Sequence, residues 1–206
     1  MKIIIDGYEN LVMPEENETL GELLIQLDDW IRKNKRIIIQ IKLEGKDLSE
    51  IDKNSIFNKK ADEFKILEVF TADLWNWAIC SLEKMKMDLP EIAKGLKKVS
   101  DFIQKGNWRK AFFLFDGYIR LWDEINQTLE MIRKAFALDY SQIFLNEEVS
   151  YKADEFIQLL KEAKRAMNEN DFLTLADILE YELAPRLEGE KRFVEEVANL
   201  LKHQMN

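Results

Sequence analysis

The rhythm of apolar residues changes near Ala72, where short alternating runs and one helical stretch give way to almost unbroken helical spacing. A chain with this pattern places a small sheet-containing unit ahead of a helical one. The expected fold class is α+β, with residues 1–72 forming a sheet-plus-helix unit and residues 73–206 an antiparallel bundle of four to six helices. With 206 residues, 47% of them apolar, the chain can bury a core without covalent staples. Its one cysteine, Cys80, permits no intramolecular disulfide. Cys80 lies in the apolar run Trp77, Ala78, Ile79 and Leu82 and is expected as a small buried thiol.

In the first unit, Lys2 to Ile5 is a β-branched run, and Asp6-Gly7 is a hairpin signal because glycine accepts positive φ. Asn10 to Met13 is expected as the returning strand, ended by Pro14. Thr19 is placed to cap a helix, and Glu22 stands three residues later, as a capping box requires. Leu20, Leu23, Leu24, Leu27 and Ile31 then follow at helical spacing. Ile37, Ile39, Ile41 and Leu43 alternate with polar neighbours, so a strand with all four on one apolar face is expected. Glu44-Gly45-Lys46-Asp47 turns it, and Glu63 to Phe70 supplies the last strand.

Met1 to Gly7 opening the hairpin, Thr19-Leu20-Gly21-Glu22-Leu23-Leu24 opening the helix and Ala61 to Leu67 opening the last strand carry a resemblance. In these positions the unit resembles the ubiquitin-like β-grasp superfamily, most closely its sulfur-carrier branch serving thiamine and molybdopterin synthesis. That branch works through a free C-terminal Gly-Gly. Here Thr71-Ala72-Asp73-Leu74-Trp75 stands in its place, and the sequence contains no Gly-Gly. The resemblance therefore implies a sheet with one face under a helix and the other available for partners, without carrier chemistry.

Helices are expected at about 73–87, 90–105, 108–137, 148–168 and 172–203, with breaks at Asp88-Leu89-Pro90, Lys105-Gly106-Asn107, Leu138 to Glu147 and Glu169-Asn170-Asp171. Pro185 is expected to kink or split the last one. Phe102 to Trp108 resembles Ala166 to Phe172: each ends a helix, turns through small polar residues and restarts on an aromatic, which suggests a duplicated helical hairpin. The segment Asn170 to Leu183 resembles helices in uncharacterised bacterial proteins, some associated with motility, and no residue's role follows from it. On the helix from Trp108, the residues Trp108, Phe112, Phe115, Ile119, Trp122, Leu129 and Ile132 share a wide face. Two readings stand: a central helix buried from several sides, or a partner-binding patch formed by Phe113, Leu114 and Leu121. Gly117 would permit close approach, either to a partner or at an internal helix crossing.

Chemistry is sparse. His203 is the only imidazole, so neither a Glu-x-x-His metal pair nor a nucleophile-histidine pair can form. No glycine-rich phosphate loop occurs. Asp116, Asp123, Asp177 and Glu180 offer an all-carboxylate metal site only if their helices face one another. The expectation is no catalytic residues, no metal ligands and no cofactor. A net charge of −9 with short, interrupted basic groups argues against nucleic acid, and the absence of a long apolar run argues against a membrane span. The N-terminus lacks the apolar core of a signal peptide, so a cytoplasmic location is expected. The expected function is that of a non-enzymatic bacterial adaptor or assembly protein that binds another protein or itself. Alternatives are a carboxylate-based metal-binding protein or enzyme, and a small-molecule sensor with a pocket near Trp108 and Trp122.

Overall fold

In the computed structural model, which describes residues 1–9, 11–140, 143 and 153–203, the first hairpin closes through Asp6 (φ 50°) and Gly7 (φ 84°). Two consecutive left-handed residues make the tight turn whose twist matches the strands it joins. β1 (Lys2–Ile5) therefore pairs at once with β2 (Tyr8–Glu9), Ile5 opposite Tyr8. The returning strand thus starts earlier than the expected Asn10 to Met13, because a two-residue turn leaves no slack; Asn10 itself lies outside the described residues. Glu44 (φ 53°) and Gly45 (φ 81°) repeat the device between β3 (Arg36–Leu43) and β4 (Lys46–Asp47).

β5 (Ile66–Asp73) lies at the centre of a sheet ordered β2-β1-β5-β3-β4, parallel to β1 and antiparallel to β3. Helix α1 (Leu20–Lys33) starts in the capping box of Thr19 and Glu22 and buries Leu20, Leu23, Leu27 and Ile31. These side chains join Ile3, Ile5, Leu43, Leu67 and Val69 in one core. A mixed five-stranded sheet with a helix on one face is compatible with a β-grasp-like unit.

The expected alternation of β3 fails at one point. Pairing with β5 shifts between Ile38 and Gln40, so Ile39 is a bulge residue and is 56% exposed. One inserted residue reverses which face each neighbour takes. Ile41 and Leu43 remain opposite Val69 and Leu67, whereas Ile37 pairs with Ala72 on the other face.

The chain divides into two compact units, Met1–Ala78 and Ile79–Asn206. Helix α2 (Lys53–Ile56) is a single turn of the first. Helix α3 (Leu74–Gln104) runs without a break through Pro90, against expectation. Leu82, Met85, Leu89, Ile92, Leu96, Val99 and Ile103 form one buried stripe across the proline, and that packing outweighs its cost of about 3 kcal/mol. Cys80 is exposed, a correction to its expected burial: it falls between the buried Ala78 and Leu82 on the opposite side of the helix.

Helix α4 (Trp108–Ala135) buries only Ala111, Ile125, Leu129 and Ile132, so it is a half-buried helix rather than one buried from several sides. The remaining helices among the described residues are α5 (Ala153–Asn168), α6 (Phe172–Asp177) and α7 (Ala184–His203). Between α6 and α7, Ile178–Leu183 widens into a π-helical segment in which the Ala184 N–H donates to the Leu179 carbonyl. Pro185 lacks the N–H for the next ordinary helical bond, and the wide turn accommodates its ring. Residues 141–142 and 144–152, which include most of the expected break and the start of the fourth helix, lie outside the described residues.

Candidate functional site

The first candidate grows from the hairpin. The left-handed Asp6 turns its carboxylate toward β5, where Oδ1 accepts the Thr71 backbone N–H (2.8 Å) and Oδ2 accepts the Thr71 hydroxyl (2.6 Å). Arg36, the first residue of β3, donates from Nε to Thr71 Oγ1 (2.6 Å) and from Nη2 to Asp6 Oδ2 (3.2 Å). Partial desolvation pushes the Asp6 carboxyl up, but the Thr71 hydrogen bonds and the Arg36 charge together outweigh it and hold it below the usual range. This network floors an open cleft of about 300 Å³. Tyr8, Leu11, Trp30 and Ile31 form its apolar walls. Trp30 is 40% exposed, and Tyr8 and Leu11 are more exposed still. Asn34 at the end of α1 also lines the cleft and bonds back to the Trp30 carbonyl.

Sequence reasoning missed this site because its parts are far apart in the chain. The legible signal was Asp6-Gly7, which places a carboxylate at a strand end. Nothing marked Thr71 or Arg36 as its partners.

The expected partner residues on α4 do not form one patch. Phe113 is 79% exposed, while Leu114 and Leu121 are half-buried. At helical spacing Leu114 and Leu121 lie about 20° apart, and Phe113 about 80–100° from either. Leu121 lines a shallow cleft with Met85 of α3 and Ile125 of α4, so it belongs to a seam between helices. A Cβ at Gly117 would meet nothing within 4 Å, so the close approach assigned to it is elsewhere. It occurs at Gly95 of α3, where a Cβ would run into the Tyr118 ring.

The four candidate carboxylates are not gathered either. Asp116 pairs with Arg120 (2.6 Å), Asp123 accepts from Gln127 (2.7 Å), and Glu180 accepts from Ser100 Oγ (3.0 Å). Among the described residues no group of three or more His, Cys, Asp or Glu side chains could hold a metal ion. His203 is exposed. Trp108 stacks on Phe172 with ring centroids 4.1 Å apart, and Trp122 Nε1–H donates to Glu190 Oε2 (3.0 Å).

Glu190 was not legible as special in the sequence. It is 7% exposed, and its Oε1 has no hydrogen-bond partner. Burial raises its carboxyl to about 7 against the opposing influence of the Trp122 bond and the Arg186 charge. A buried carboxyl with a single neutral donor is a titratable joint between α4 and α7.

Residues 1–73 match the family described as TP0873 N-terminal domain, and residues 81–192, more than half of the chain, match Domain of unknown function (DUF8042). The chain belongs to the DUF8042 family. A relative in Treponema pallidum (strain Nichols), named "Uncharacterized protein", is 23% identical over 185 residues, covering 90% of this chain and 92% of that protein. The likeness thus runs through both units, the family's matched region and the sheet-bearing one before it. No solved structure matches the chain. Among the described residues no helix is long and apolar enough to cross a membrane.

Proposed function

We propose that this DUF8042 protein is a non-enzymatic bacterial adaptor or assembly protein of the cytoplasm, whose β-grasp-like unit holds a partner protein. The observation that carries the reading is the cleft on that unit: Tyr8, Leu11 and Trp30 leave large apolar surfaces in water around a rigid polar floor. Exposed aromatic walls supply the desolvation energy of a contact, and the floor of Asp6, Thr71 and Arg36 fixes its orientation. The occupant is an apolar side chain of the partner, seated between Tyr8 and Trp30. Phe113 adds a bare aromatic on the helical unit.

The test is affinity capture of the full chain from its native cells beside a Trp30→Ala variant, with thermal melting as the fold control. A partner held by the wild type and lost from a folded Trp30→Ala protein supports the reading. Identical partners for both proteins contradict it.

A further inference from the structure

The two similar turns of the helical unit are alike in atomic detail. After α3, the Gly106 N–H donates to the Ile103 carbonyl (2.9 Å) and the Asn107 N–H to Phe102 (2.8 Å). After α5, the Asn170 N–H donates to Met167 (3.3 Å) and the Asp171 N–H to Ala166 (2.9 Å). Gly106 and Asn170 both take positive φ, 73° and 56°, which is the ordinary left-handed helix stop. The aromatic that restarts each helix meets its counterpart in the Trp108–Phe172 stack, which puts the turns side by side.

Their charges are not alike. Positions matched by the turns carry opposite signs: Asp101 corresponds to Arg165, and Lys105 to Glu169. All four are exposed, and none forms an ion pair with another described residue, although Asp101 and Lys105, like Arg165 and Glu169, are one helical turn apart. Arg109 adds a second basic group to the first turn and Asp171 a second acidic group to the other. Next to Phe172 in the chain, Leu173 is a bare apolar side chain, 75% exposed.

We propose that this face binds a second copy of the chain about a twofold axis running between the turns. In such an arrangement each contact occurs twice with the partners exchanged, so the basic turn of one copy lies on the acidic turn of the other in both halves. Lys105 then meets Glu169 of the second copy and Asp101 meets its Arg165. Trp108, Phe172 and the exposed Leu173 beside it in the chain form the apolar centre inside that charged rim. A surface with the same sign on both turns would repel its own copy; this one is self-complementary. The proposal goes beyond the cleft on the N-terminal unit and stands apart from it, since no residue is shared.

The experiment measures the mass of the full chain by sedimentation equilibrium for wild type, Lys105→Glu, Glu169→Lys and an equimolar mixture of the two variants. Wild type is expected as a dimer that weakens with added salt. Each variant alone puts like charges together at both symmetric contacts and weakens the dimer by about tenfold or more. The mixture, with one contact native and one reversed in sign, regains it. A Leu173→Ser protein that keeps its melting curve is expected to dimerise less. A monomeric wild type, a dimer indifferent to both charge changes, or a mixture that stays monomeric overturns the proposal. None of these results alters partner capture through Trp30.

Discussion

Glu190 is the residue whose environment most departs from what its chemistry prefers. Its folded carboxyl sits near 7, above the ordinary glutamate range. Because the folded pKa is raised, the folded chain binds a proton that the unfolded chain has released between about pH 4.5 and 7. Stability from this group is therefore complete below that window and is lost as pH rises through it, by about 3 kcal/mol. Glu190→Gln removes the titration. In urea melts the stability of wild type relative to Glu190→Gln is expected to fall between pH 4.5 and 7.5, while paired surface carboxylates such as Glu130 cancel in the difference. A difference independent of pH would mean that Glu190 is hydrated. At Asp6 the sign is reversed: the network lowers its pKa, so stability present at neutral pH is lost as pH falls through the folded value. Thr71→Val, which removes the hydroxyl shared by Asp6 and Arg36, is expected to cost about 1–3 kcal/mol in the same assay.

At the scale of elements, the bulge in β3 and the crossing at Gly95 give two predictions of opposite sense to simple pattern reading. Ile39→Asp alters an exposed bulge residue and is expected to cost less than about 1 kcal/mol, whereas Leu43→Asp buries a charge opposite Leu67 and is expected to unfold the first unit, as circular dichroism would report. Gly95→Ala is expected to destabilise the wild type by displacing the Tyr118 ring, yet to stabilise a Tyr118→Ala background by about 1 kcal/mol, where only helix propensity acts. The same sign in both backgrounds would remove the crossing from the account.

These elements also show what was legible. The capping box at Thr19, both glycine turns and the apolar stripe of α1 are local, so spacing alone revealed them. The bulge depends on which β5 residue faces Ile38, and the continuity of α3 through Pro90 depends on packing along its whole length; neither is written in a short window of sequence. The cleft is harder still, since Asp6, Arg36 and Thr71 meet only once β1, β3 and β5 are in one sheet. Phe113 stood out because a large aromatic away from the buried stripe is a local signal, while the place of the half-buried Leu121 in a seam is not.

At the scale of the whole molecule, the chain divides into two compact units. One core cluster of the first unit gathers residues from Ile3 to Val69, with its flanking apolar contacts between Met1 and Phe64. A fragment of residues 1–78 is therefore expected to fold cooperatively, with a single thermal transition seen by circular dichroism and Trp30 fluorescence; a fragment without a transition would show that the core depends on the helical unit. The proposed adaptor function rests on the bare apolar cleft of that unit. The most direct measurement is hydrogen–deuterium exchange of the full chain alone and with its captured partner bound. Slowed exchange at Tyr8 and Leu11 and along the Trp30 end of α1 is the predicted result. Protection confined to other segments, with these amides exchanging as in the free protein, would contradict the account.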